Sequence, residues 1–141
     1  MSRDEGTAVA VGEWVQKAEN DLRNAAHTLK IARQCPTDTV CFHAQQCVEK
    51  YLKALLTWKA IEVPRTHRIQ ELIPLVPPEA RPRLERHEQL RLTDYATVTR
   101  YPGDYEPIEM SEAKAAVSLA RRVRREVRRQ LPANALRRSR V

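Results

Sequence analysis

Glycine is scarce: Gly6, Gly12 and Gly103 are the three in 141 residues. That excludes a phosphate-cradling glycine loop, whether G-x-G-x-x-G or Walker A. It also speaks against a many-turned β-sandwich or barrel, which wants turn glycines at regular spacing. Aromatic residues are 5% of the chain. No apolar run approaches the roughly 18 residues that span a bilayer. The opening Met1-Ser2-Arg3-Asp4-Glu5 is acidic and has no apolar region, so no secretion signal is expected. The cysteines are Cys35, Cys41 and Cys47. An odd count without C-x-x-C reads as reduced thiols, and a cytoplasmic location is expected. His43 and Cys47 share a helix face, but two ligands do not make a zinc site, so neither a metal nor a cofactor is expected.

Charged residues are 30% of the chain and the net charge is +7. The excess sits at one end. Residues 121–141 hold nine arginines and one acid, Glu126, whereas the first 120 residues hold 16 basic and 17 acidic side chains. A near-neutral domain with one basic end points to an anionic partner. The length suits one domain with its own core.

Hydrophobic periodicity predicts helices throughout. Residues 1–11 show no clear period and are expected to form a flexible arm. From Trp14 a stripe runs through Ala18, Leu22, Ala25, Leu29 and Ala32. Cys35-Pro36 breaks it, and Thr37 or Asp38 can cap a second helix over about Thr39 to Ala60. Val40, Ala44, Cys47, Val48, Tyr51, Leu52, Leu55 and Leu56 form its apolar face. A short helix, His67–Val76, follows with Thr66 as its cap. A fourth is expected from Glu79 to Val98. Pro102 and Gly103 mark a loop, and Ser111 is expected to cap the last long helix, to about Gln130. Residues 132–141 are expected to be a basic, disordered tail. The expected fold is all-α: an up-and-down bundle of four main helices plus one short helix, over residues 12–131.

The second helix carries polar groups unusual for a plain bundle helix. His43, Gln46, Glu49, Lys50 and Lys53 lie three and four apart and border the apolar face. Glu49 and Lys53 are an i,i+4 pair in the favourable order. Downstream come Pro64-Arg65-Thr66-His67, then Tyr95, then Arg100-Tyr101-Pro102. The segment Phe42 to Leu55, the Pro64, Thr66 and His67 group, and the Tyr95 and Arg100-Tyr101-Pro102 group occur in the order and spacing of the HEPN family (higher eukaryotes and prokaryotes nucleotide-binding). The chain resembles that family from about Trp14 to Leu131.

The resemblance implies a four- or five-helix bundle, usually a homodimer, often working with a separately encoded minimal nucleotidyltransferase in a toxin–antitoxin pair. Many members are metal-independent ribonucleases with an Arg, four to six residues, then a His. In that pattern the Arg stabilises the strained phosphate and the His is the general acid or base. Arg100 matches the family's Arg, but residues 101–107 contain no His. Arg81 and His87 match the spacing, outside the R-Y-P segment. The chain therefore resembles the R-Y-P branch without the ribonuclease signature, for which nucleotide or RNA binding is implied. The rival is a ribonuclease using Arg100 with Asp104 or His67; a third reading is a purely structural dimeric adaptor.

The ligand residues implied are Lys53, His67, Tyr95, Arg100 and Tyr101. The structural alternative has Glu49 paired with Arg100 or Lys53, with His43, Gln46 and Lys50 specifying the fold. Tyr101, Pro102 and Tyr105 could stack a base or line a dimer seam. Arg121, Arg122, Arg124, Arg125, Arg128 and Arg129 form a candidate RNA surface.

Overall fold

The computed structural model describes residues 3–97 and 106–137, and every regular element among them is helical. Four long helices make the bundle: α1 (Arg3–Leu29), α2 (Thr37–Trp58), α4 (Arg86–Thr97) and α5 (Met110–Arg128). Two short ones, α3 (Ile69–Leu72) and α6 (Ala133–Arg137), lie against them. None is long and apolar enough to cross a membrane among the described residues.

The helix α2 is the axis of the molecule. It packs on α1, α3, α4 and α5, and its run from Tyr51 to Leu56 is buried without interruption. Over that run the helix is buried on every side, so there the one-stripe pattern of a surface helix gives way to continuous burial. By contrast α5 buries a single stripe, Ala113, Ala116, Val117, Ala120, Val123 and Val127, and leaves its other faces to charge. Small alanines on that stripe let α5 approach α2 closely.

Both ends of the chain are more ordered than the sequence suggests. The arm expected over residues 1–11 is helical from Arg3. Ala8 and Val11 extend the apolar stripe of α1 upstream in steps of three and four, and both are buried. The expected tail contains α6, whose Ala135 is buried against the core. Pro132 ends one helix and starts the next: its carbonyl accepts from the N–H groups of Ala135 and Leu136 at 3.1 and 3.3 Å. Residues 138–141 lie outside the described residues.

Prolines account for the other differences. The expected helix 67–76 is a single α-turn followed by a 3-10 turn at Ile73–Leu75, because Pro74 has no N–H to continue the α ladder. The expected start at Glu79 is only a 3-10 turn, Pro78–Ala80. Arg81 precedes Pro82 and is extended, with φ −65° and ψ 129°, so the helix cannot form until Arg86. Thr66 does not cap α3: Arg68 holds that position without a side-chain bond, and Thr66 Oγ1 accepts from the Arg68 N–H at 3.1 Å ahead of the helix. Ser111 does not cap α5; Glu109 holds that position, without a side-chain bond. Thr37 instead ties this region down, donating its hydroxyl to the Ile108 carbonyl at 2.8 Å.

The end of α2 closes with a left-handed residue. Ala60 has φ 59°, the Ile61 N–H reaches the Leu56 carbonyl at 2.9 Å, and the Ala60 N–H reaches that of Thr57 at 3.1 Å. This is a Schellman arrangement with alanine where glycine is favoured. Ala60→Gly should therefore raise stability by about 1 kcal/mol, read as a higher denaturation midpoint in urea.

Candidate functional site

Four-residue spacing on α2 places Gln45, Glu49 and Lys53 on one stripe, and all three are buried. A carboxylate only 3% exposed must find donors inside the fold. Glu49 has three. Lys53 Nζ donates to Oε2 at 3.0 Å, Gln45 Nε2 donates to Oε1 at 3.1 Å, and His67 Nδ1 lies 3.0 Å from Oε1. Gln45 Nε2 also reaches the His67 carbonyl at 3.1 Å, while its own oxygen accepts from Gln46 Nε2 at 2.6 Å. The Lys53 ammonium stands 5.7 Å from the centre of the Trp14 ring, a cation–π contact.

This geometry divides the expected ligand residues. Lys53 and His67 meet, but on Glu49, and Lys53 is buried. The His67 side chain keeps 68% exposure. Tyr95 is elsewhere, its hydroxyl donating to Glu112 Oε2 at 2.5 Å, and burial pushes its phenol well above the usual range. Arg100, Tyr101, Pro102, Asp104 and Tyr105 lie outside the described residues.

A second polar knot joins α1 to α2. His43 Nδ1 lies 2.8 Å from Asp21 Oδ1, and Lys50 Nζ donates to Asp21 Oδ2. Asp21 is a partner the sequence reading missed. It stands one residue before Leu22 in the α1 stripe, and nothing local distinguishes it from a solvated acid.

The arginines of α5 separate into two sets. Arg124 Nε and Arg128 Nη1 both donate to Glu19 on α1, at 2.9 and 3.0 Å. Arg128 also donates to the Tyr51 hydroxyl at 3.2 Å. The hydrogen bonds from Glu19 hold the Arg124 guanidinium above its ordinary range. Arg122 Nη2 donates to Glu88 on α4 at 2.9 Å. Arg121, Arg125 and Arg129 are exposed, four residues apart, and make no ion pair among the described residues. Glu126 is engaged at the surface, where it accepts the Arg83 N–H at 3.2 Å. The outer ridge of α5 is therefore uniformly cationic.

Between α4 and α5 lies a groove of about 690 Å³. His87, Arg122 and Arg125 line one part of it, and Arg91, Tyr95, Glu109 and Ser111 another. His87 is thus on a cavity, whereas Arg81 is held away: its guanidinium donates to the carbonyls of Val76 and Pro74 at 2.8 and 3.2 Å. No cluster of three metal-binding side chains occurs among the described residues.

The HEPN domain family model matches residues 11–130. No curated protein sequence matches the chain. Two solved structures are similar to it. The Thermus thermophilus protein TT1696 is 26% identical, with a TM-score of 0.70, covering 87% of this chain and 99% of that one. ST0689, an archaeal HEPN homologue, is 28% identical, with a TM-score of 0.66, covering 94% and 100%.

Two outcomes test this geometry. Glu49→Ala strands the buried Lys53 charge and should lower unfolding free energy by about 3 kcal/mol in chemical denaturation. Lys53→Met should cost less, because Glu49 keeps Gln45 and His67. Among the thiols, burial pushes Cys41 up to about 12 and Cys47 higher still, so both stay protonated and unreactive at pH 8. A thiol-reactive dye should label at most the half-buried Cys35 in native protein and all three cysteines after denaturation.

Proposed function

The chain belongs to the HEPN domain family, and on that premise we propose that it is an RNA-binding module rather than a nuclease. The observation that carries this reading is the division of the α5 arginines. Three are held by acids of neighbouring helices, and the other three project from one exposed ridge with no acid on it. Guanidinium groups repeated every four residues, about 6 Å along the axis, suit a succession of phosphates. Salt-dependent binding through phosphate contacts follows from such a surface.

The same reading takes two partners from the family resemblance: a second copy of the chain and a separately encoded minimal nucleotidyltransferase. The absence of a His from residues 101–107 supports binding without cleavage. The engagement of Arg81 with two backbone carbonyls also weighs against an Arg81–His87 catalytic pair.

Fluorescence anisotropy with a labelled single-stranded RNA tests the proposal. Replacing Arg121 and Arg129 together by alanine should weaken binding and reduce the slope of log K against log salt by about 1.4, at roughly 0.7 for each phosphate no longer neutralised. Helical content should not change, since neither residue makes an ion pair among the described residues. An unaltered slope would refute the ridge as the RNA surface. Metal-independent RNA cleavage that disappears in Arg100→Ala would replace the binding reading by the nuclease one.

A further inference from the structure

Helices α4 and α5 both pack on α2, yet they make little backbone contact with each other among the described residues. Neighbouring helices of a bundle normally close to about 8–10 Å between axes. Here side chains bridge the gap instead, Arg122 to Glu88 and Tyr95 to Glu112. The order of these bonds makes the two helices antiparallel. Between them lies the groove of about 690 Å³. Its floor is apolar, with Leu92 on α4 and Ala115 and Leu119 on α5. Ala115 is exposed and Leu119 half-buried, so the floor is open from outside.

The charges that α5 turns to this groove are separated by sign. Glu109 and Glu112 stand where the helix begins, and Arg122 and Arg125 toward its end. Glu112 and Arg122 are about 15 Å apart along the axis at 1.5 Å per residue. No charged residue of α5 lines the groove between them. Glu109 and Arg125 are exposed and make no ion pair among the described residues. A phosphate chain laid along the groove would be repelled at the Glu109 end. A polypeptide carrying both signs is the complementary occupant. The first turn of a helix favours acids and its last turn favours bases. A helix running antiparallel to α5 therefore brings its acids to Arg125 and its bases to Glu109. Apolar residues at i, i+4 and i+7 of that helix then meet the floor.

We propose that this groove receives an amphipathic helix of another protein, acidic in its first turn, basic in its last, and apolar on the face between. The incoming helix completes the bundle where α4 and α5 stand apart. Its attraction is apolar burial on Leu92, Ala115 and Leu119, and its direction is set by the two charged ends. The site is independent of the RNA reading, whose test replaces Arg121 and Arg129.

Fluorescence anisotropy of the full chain with a labelled synthetic peptide tests it. The probe is a stapled helix of about 14 residues, roughly 21 Å long. It carries aspartates in its first turn, lysines in its last and leucines along one face. It should bind at micromolar concentration, and an isomer with aspartates and lysines exchanged at least about tenfold more weakly. Ala115→Gln puts a longer side chain over the floor at an exposed helical position. It should lower peptide affinity at least about tenfold and leave melting temperature and RNA affinity unchanged. Glu109→Lys combined with Arg125→Glu should make the exchanged isomer the preferred ligand. Equal binding of the two isomers to the parent protein would overturn the assignment, as would peptide affinity unaltered by Ala115→Gln. Failure of both peptides to bind at millimolar concentration would also overturn it, and RNA binding by the same sample would leave the RNA reading standing. A dimer of the parent chain that Ala115→Gln dissociates in sedimentation would give the groove to a second copy instead.

Discussion

A buried carboxylate sets the terms for this fold. Helix α2 is enclosed by α1, α3, α4 and α5, so the stripe Gln45–Glu49–Lys53 is almost wholly withdrawn from water. Desolvating a charge in such a place is costly unless every lone pair is matched. The match comes from two sources: Lys53 and Gln45 on the same helix, and His67 from the segment that follows it. The second source fixes more than a charge. Gln45 also holds the His67 carbonyl, so the connection after α2 is pinned to α2 at two points. Just beyond it, the Ile69 N–H donates to Thr93 Oγ1 at 2.9 Å and Thr93 donates to Gln70 at 2.6 Å, which joins α3 to α4. The network has the character of a fold-specifying core, and a ligand would have to compete with Glu49 for Lys53.

Arginine does three separate jobs on α5, sorted by helical phase. Arg124 and Arg128 face α1 and clamp Glu19, with Arg128 also reaching Tyr51 in the core. Arg122 faces α4 and Glu88. Arg121, Arg125 and Arg129 face outward. A single residue type at one density can thus be structural on two faces and an interaction surface on the third. Half of the apparent basic patch is internal to the fold, and the charge left to act on a partner is smaller but regularly spaced.

Much of the fold was legible because the apolar stripes of α1, α2 and α5 keep a strict three-and-four spacing. The family was legible because Phe42–Leu55, Pro64–His67 and Tyr95 with Arg100–Pro102 occur in fixed order. Element ends were less so. Prolines 74, 78 and 82 break the 67–98 region more finely than periodicity conveys, since each acts on its own turn. The helical parts of the arm and the tail were not legible because Ala8, Val11 and Ala135 are small residues whose burial depends on what packs over them. The Glu49–Lys53 pair could be read from its spacing on one helix. Asp21 with His43, and Glu19 with Arg124, could not, because their partners lie 22 and 105 residues away.

The sequence by itself determined the all-helical class, the central amphipathic helices, the family and the asymmetry of charge. All of these are local or additive properties of residue order. Only the tertiary structure decided which charges are neutralised and which remain to act. It turned Lys53 onto Glu49 and drew Arg122, Arg124 and Arg128 onto acids of neighbouring helices. The reason is physical: the fate of a charge depends on which groups share its low-dielectric surroundings, and those groups come from helices distant in the chain.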